Sequence, residues 1–410
     1  MPPATNHSDL YKDGINFAAL AKADPDFAKV LHNGEIDFQN PKSLQQLTKS
    51  LLKRDFEIEL RLPEDRLCPP PHFTPFTSST PIKGLDIGTG ASCIYPLLGT
   101  ATHPSWSFHA TDIDAHSLSF AEKNLSLNPS LSSRITLHKI PSQDYGLIPL
   151  KALHIPDLDF TMCNPPFYSS EEDMASAAAL KSLPPLAVCT GSASEMIAPG
   201  GDTGFALKML AESISLRGRV KWYTCMMGKL SSVYDIVAAL KKASCSNWVV
   251  DVLRAGSRTR RWVVAWSWEP YRPAPELVRS PEIPQGLWCA PTLWTVEVDG
   301  RDKEWMQHRL GEVLDPLDVT WTWDGAGSCG VVEAKGATWS RSARRKKART
   351  ENDGDVTAVA GDNGHKIKDV AIAVRITARD GVLDLQWLKG DTPILFESLA
   401  GMLKRAMQLS

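Results

Sequence analysis

The chain has 410 residues, 43% of them apolar and 22% charged, with a formal net charge of −2. That is enough for two domains with a substantial core, and the expectation is of no membrane span and no signal peptide. Eight cysteines occur without a Cys-x-x-Cys pair, which points away from a disulfide framework or a zinc site and toward reduced thiols; no metal is expected. Near-neutrality does not advertise nucleic-acid binding, but the cationic residues are clustered, as in Arg254–Arg258–Arg260–Arg261 and Arg341–Arg349. Local fields decide that matter more than the total.

Residues 1–81 read as a polar arm and strap. A short helix is expected around Phe17–Ala23, and a second begins after Asn40 with Pro41 at its first position. Leu44, Leu47, Leu51 and Leu52 repeat at helical spacing, while Lys49, Lys53 and Arg54 point elsewhere. Such a basic face is ordinarily solvated, and an RNA-facing arm is the alternative. Residues 62–81 are proline-rich and read as an extended strap.

A strand over Leu85–Ile87 then runs into a loop with glycines at 88 and 90 and on to a helix start of small residues. The glycines let backbone approach a ligand, and the helix start supplies unpaired N–H groups. The third glycine of a dinucleotide site is missing, and Asp86 precedes the loop. An acid there would repel a pyrophosphate but suit the cationic amino-acid end of S-adenosylmethionine. The strand beginning at Phe108 ends at Asp112, placed for two ribose hydroxyls, while Asp114 is suited to cap the helix His116–Leu127. The third strand, Ile135–Ile140, ends near Asp144, a candidate partner for the cofactor's adenine amine.

The fourth strand, Phe160–Cys163, stops at Asn164-Pro165-Pro166-Phe167-Tyr168, because two prolines cannot continue a sheet ladder. The Asn164 side chain and the Pro165 carbonyl can accept both hydrogens of an exocyclic amine, and Phe167 or Tyr168 can stack on a planar base. This answers the problem of methylating a conjugated NH2, whose lone pair is delocalised into its ring. Residues 168–203, rich in Ala, Ser and Gly, are expected to form a mobile loop beside the target base. Helix Phe205–Leu216, strand Val220–Met226, helix Leu230–Ala243 and strands Trp248–Leu253 and Arg261–Trp268 complete the pattern. The fold class is α/β, a Rossmann-like sheet of seven mostly parallel strands over 82–269. Arg254, Arg258, Arg260 and Arg261 of the last hairpin are assigned phosphate contacts.

Four separated blocks now carry a resemblance: Asp86–Gly99, Met162–Phe167, Trp222–Lys229 and Arg258–Ser267. Together they resemble the methyltransferase-like protein 16 family, which makes N6-methyladenosine in RNA, with U6 small nuclear RNA its general target; bacterial relatives methylate large-subunit ribosomal RNA. The resemblance implies that Asn164, Pro165, Pro166 and Phe167 form the catalytic motif. It implies too that Arg66, Asp86, Gly88, Gly90, Asp112 and Asn164 surround S-adenosylmethionine, and that Lys12 belongs to an RNA-contacting arm. Gln39 stands where the family often has a lysine, so a phosphate or gating contact is not carried over to that position.

Residues 270–291, with six prolines, read as a linker. Beyond it, 292–410 alternates strands and helices as a small α+β domain, from strand Leu293–Val298 to helix Pro393–Gln408. Its element order resembles the kinase-associated-type domains of larger family members, which help grip RNA. The polar insert 335–368, with its basic run 341–349, is expected to be disordered, as an import signal or an RNA contact. The implied protein is a nuclear enzyme, with a cytoplasmic pool open, acting on structured RNA without an obligate protein partner. Ribosomal RNA is the alternative substrate, protein glutamine a further one, and a non-catalytic RNA-binding scaffold the reading from another class.

Overall fold

In the computed structural model, side-chain carbonyl or carboxylate oxygens cap the helices of the N-terminal arm. Asn16 accepts the Ala19 N–H at 2.9 Å ahead of α1 (Phe17–Ala23), and Asp24 caps the single turn α2 (Pro25–Ala28). Asn33 and Gly34, both at positive φ, turn the hairpin β1 (Leu31–His32) and β2 (Glu35–Ile36), an Asn-Gly signal the expectations above passed over. Asn40 caps α3 (Pro41–Phe56), with proline at the first position as expected. Leu20, Phe27, Ile36, Leu47 and Leu51 form a small core of their own. The structure describes residues 14–63, 81–142, 145–179, 191–255, 259–343, 345 and 370–408; most of the proline-rich strap lies outside them.

The chain divides into two units, Met1–Ala243 with Asp251–Ser267, and Ser244–Val250 with Trp268–Ser410. The first carries β3 (Ile82–Ile87), α4 (Ile94–Thr102), β4 (Trp106–Asp112), α5 (Ala115–Leu127), α6 (Pro129–Ser132), β5 (Ile135–Lys139) and β6 (Leu158–Cys163). It continues with α7 (Glu171–Ala179), α8 (Ala193–Met196), α9 (Gly201–Leu216), β7 (Val220–Met227) and α10 (Leu230–Lys242), before β8 (Trp248–Ala255), which belongs to this unit from Asp251 on, and β9 (Thr259–Trp266). The sheet order is β5-β4-β3-β6-β7-β9-β8. Pairing is parallel from β5 to β7, and β9 joins antiparallel to β7.

After β5 the chain crosses back to lay β6 on the other side of β3. That reversal opens a crevice beyond the carboxyl ends of β3 and β6. Buried strands read as apolar runs because helices cover both faces. Gly84 leaves room for the Phe108 and Phe160 rings, whose centroids lie 5.7 Å apart edge to face. Beyond Glu57, the left-handed C-cap of α3, residues 58–63 bury Ile58, Leu60 and Leu62 against α4 and α5. Asn124 and Asn128 hold them like a strand: Asn124 Oδ1 accepts the Arg61 N–H at 2.7 Å, and Asn128 Oδ1 accepts the Glu59 N–H at 2.9 Å.

Three expectations are corrected. Residues 168–203 are not a structureless loop where described: α7 and α8 lie within them, and α9 starts at Gly201, because Ala-rich sequence favours helix and Gly200 supplies the left-handed turn that starts α9. Residues 270–291 are not a free linker. Val278, Ile283, Leu287 and Cys289 are buried, α11 (Pro275–Val278) forms among them, and the Arg272 guanidinium stacks 3.9 Å from the Trp387 ring. The start of the 335–368 insert is ordered. Trp339 is 3% exposed and donates to Ser398 Oγ at 3.0 Å, while 344 and 346–369 lie outside the described residues.

The second unit carries β10 (Leu293–Glu297), α12 (Lys303–Leu314), β11 (Thr320–Asp324), β12 (Cys329–Ala334), β13 (Ile372–Arg379), β14 (Val382–Gly390) and α13 (Pro393–Gln408). Its sheet, β10-β14-β13-β12-β11, is antiparallel throughout. Met306, Leu310 and Leu314 of α12 and Leu399, Leu403 and Met407 of α13 share one core with the inward strand residues.

Candidate active site

Register brings the site together. Ile87 lies opposite both Thr111 and Cys163, so Gly88, Asp112 and Asn164, each the next residue, emerge in one row at the crevice. Gly88 and Gly90 have φ of 72° and 62°, the left-handed region, and a side chain at Gly88 would point into open space. The Gly88 and Thr89 amides donate to the Thr111 carbonyl at 2.9 Å. The Gly90 amide donates to Asp112 Oδ2 at 2.8 Å, and Oδ1 of the same carboxylate accepts the Asp114 N–H. Asp114 caps α5 through the His116 and Ser117 amides, as expected.

Asp86 is 1% exposed, and neither carboxylate oxygen has a hydrogen-bond partner among the described residues. Burial pushes its carboxyl up to about 7; the nearby Thr89 hydroxyl pulls slightly down without the geometry of a hydrogen bond, and Asp112 pushes further up. Asp112 is also raised, by burial, against the opposing pull of the Asp114 and Gly90 amides. Two carboxylates so placed call for a cation and would repel a pyrophosphate. Leaving buried acceptors unpaired costs about 1–3 kcal/mol each, and a bound cation with N–H or O–H groups would relieve it. Asn164 adds a third acceptor without a partner among the described residues, its buried Oδ1, just past the end of β6.

Phe167 lies half-buried under the Arg261 guanidinium, 4.8 Å from its ring centroid. Tyr168 is tied into a short parallel bridge with Ile197: its N–H donates to the Met196 carbonyl, and its carbonyl accepts the Ala198 N–H, both at 3.0 Å. Through this bridge α8 reaches the glycine loop, where Glu195 Oε1 would lie 3.6 Å from a Cβ at Gly90. Lys229 pairs with Asp173 of α7 at 3.3 Å.

Of the remaining predicted residues, Arg66, Asp144, Lys12 and Arg258 lie outside the described residues, as does the side chain of Arg254. Arg260 is exposed, and Lys49 on α3 is partly so. Lys53 pairs with Glu59 at 3.3 Å and Arg54 with its neighbour Asp55 at 2.6 Å, so part of the α3 charge is compensated locally. Sequence reasoning missed Gly228, which lies against the Phe167 ring, and Asp202, which accepts the Gly228 amide; an acid following two glycines at a helix start was the available signal.

Among known proteins, a family model described as RNA methyltransferase matches residues 4–270. The chain belongs to that RNA methyltransferase family. It is 34% identical over 92% of its length to the U6 small nuclear RNA (adenine-(43)-N(6))-methyltransferase of Schizosaccharomyces pombe, covering 96% of that protein. The chain spans only about half the length of the mouse and human METTL16 relatives, 50% and 49%. The human METTL16 catalytic domain, solved with the MAT2A 3′UTR hairpin 1, superposes with a TM-score of 0.58 at 31% identity, covering 66% of this chain and 99% of that one. The human N-terminal domain in complex with SAH gives 0.51 at 31% identity, covering 64% and 98%.

Proposed function

We propose that this chain methylates the exocyclic N6 of an unpaired adenosine in a structured RNA, with S-adenosylmethionine as methyl donor, U6 small nuclear RNA as substrate and the nucleus as its place of work. The observation that carries this is the row of Gly88, Asp112 and Asn164 at the sheet's switch point, with orphaned acceptors on Asp86 and Asn164. The family membership and the solved relatives with an RNA hairpin and with SAH support it.

S-adenosylmethionine, when bound, supplies an electrophilic methyl on a cationic sulfur. Asp86 and the glycine loop would hold its amino-acid end and Asp112 its ribose, with Arg66 and Asp144 as further contacts proposed from sequence. Asn164 Oδ1 and the Pro165 carbonyl take the two amino hydrogens of a flipped adenine, and Pro166 stiffens the turn between that carbonyl and the ring. The nitrogen lone pair is thereby localised and aimed at the methyl group, and Phe167 holds the base plane. The gain comes from positioning and electrostatics. The N6 proton lost after transfer leaves to solvent, so no side chain need act as strong base. Lys49, Arg260 and Arg261 supply backbone contacts to the RNA, with Lys12, Arg254 and Arg258 assigned the same role from sequence. Lys53 and Arg54 would join them once released from Glu59 and Asp55. Residues 292–410 extend the grip.

The test is methyl transfer from labelled S-adenosylmethionine to U6 RNA, beside a copy in which the single target adenosine is changed. Label recovered as N6-methyladenosine only on the unaltered RNA is the expected result. Asn164→Ala should lower kcat about 10²–10³-fold while RNA affinity holds. Retention of most activity by that variant would overturn the mechanism, and absence of label on U6 would overturn the substrate.

A further inference from the structure

We propose that Asp202 is a positioning residue for the target-base stack, acting through Phe167. This rests on the reading of Phe167 as the stacking ring. Asp202 is 3% exposed at the second position of α9. Its Oδ2 accepts the Gly228 N–H at 2.7 Å and its Oδ1 the Ser232 hydroxyl at 2.8 Å. A longer contact from the Thr203 hydroxyl reaches Oδ1 at 3.5 Å; all three donors are neutral, and the helix N-terminus adds support for the charge. A buried carboxylate held this way is an expensive means of joining two helices if joining were its whole task.

What it holds is the floor under Phe167. A Cβ at Gly228 would lie 2.7 Å from Phe167 Cδ1 and 3.3 Å from Asp202 Oδ2, so the ring rests on the backbone whose amide Asp202 anchors. The adjacent Gly201 presses from behind: a Cβ there would sit 3.1 Å from the Phe167 carbonyl oxygen and 3.3 Å from the Tyr168 carbonyl carbon. One two-residue segment therefore constrains both the main chain and the ring of Phe167; Arg261, 4.8 Å over the ring, would move off it to the RNA backbone when the base stacks. A ring fixed in plane before the base arrives spares the ordering cost on binding and keeps the amine aligned.

The test is a double-mutant cycle of Asp202→Asn and Phe167→Ala, read by single-turnover rate, by cofactor Kd, and by fluorescence of 2-aminopurine at the target nucleotide, which is quenched on stacking. Asp202→Asn should slow the rate about tenfold, as expected for a lost positioning contact. It should also weaken the quenching and leave the cofactor Kd and thermal midpoint nearly unchanged. In the Phe167→Ala background the same substitution should slow the rate less than about twofold, because residues acting as one unit are non-additive. A full tenfold loss in both backgrounds, or unchanged quenching, overturns the proposal. If Phe167→Ala alone costs nothing, the stacking reading itself fails, which is a separate result. Should Asp202→Asn fail to fold, Ser232→Ala removes one donor from the same carboxylate and must show the same non-additivity with Phe167→Ala.

Discussion

The Gly90 amide and Asp112 Oδ2 form a 2.8 Å hydrogen bond that fastens the glycine loop to the end of the neighbouring strand. The carboxylate that would face the cofactor's ribose is thus the one that shapes the loop. Asp112→Ala removes both functions and leaves the Gly90 and Asp114 amides without this acceptor. Hydrogen bonds to charged groups contribute about 1.5–3 kcal/mol each, so S-adenosylmethionine affinity should fall roughly 10–100-fold. Isothermal titration calorimetry on the purified variant checks this, and a change below threefold would sink the assignment.

With Asp86 proposed to hold the cofactor's amino-acid end, cofactor binding should depend on pH. Its carboxyl is raised from 3.8 to about 7 by burial, so in the folded protein it keeps its proton over a window in which the unfolded chain has lost it. The folded state binds more protons there, and stability contributed by this group is full below pH 3.8 and is lost as pH rises to about 7. Asp86→Asn should therefore be more stable than the wild type at pH 8, by on the order of a few kcal/mol, with the gain gone near pH 4. Wild-type affinity for the cationic cofactor should rise with pH and level off above about 7, while the variant binds weakly at every pH. Denaturant midpoints and calorimetric Kd values across pH 5–8.5 read both; a pH-independent wild-type affinity would refute it.

Gly84 tests the aromatic packing under the site. A Cβ there would lie 2.6 Å from Phe160 Cζ and 2.8 Å from Phe108 Cε1, inside a stack with no room to yield. Gly84→Ala should cost about 1–3 kcal/mol by overpacking, seen as a lower denaturant midpoint at unchanged slope. A neutral result would mean the rings reorient freely.

Asn124 stitches residues 57–63 to α5, accepting from the Arg61 N–H and donating to the Arg61 and Ala91 carbonyls. Asn124→Ala leaves those groups unpaired and should destabilise by roughly 2–4 kcal/mol, and Asn124→Asp should cost comparably because it cannot donate. Faster amide hydrogen exchange confined first to 57–63 is the expected signature. Uniform exchange throughout the unit would show that the segment is not held locally.

The sequence by itself determined what short-range chemistry determines. Asn40-Pro41 started a helix because an amide caps and proline needs no N–H; Gly88 and Gly90 marked a loop that backbone must approach closely; and two prolines ended β6 at Asn164. Those signals, spaced along alternating strands and helices, were enough for the sheet and for placing Gly88, Asp112 and Asn164 at strand ends. Only the tertiary structure decided which of them share a row, since the register of β3 with β4 and β6 is a property of paired strands. It also decided that 270–291 packs down, because the partners of Arg272, the Gly390 and Ser246 carbonyls, are remote in sequence. The support behind Phe167 was invisible for the same reason. Asp202, Gly228 and Ser232 are ordinary residues along the chain, and they meet only once α9, α10 and the end of β7 have packed.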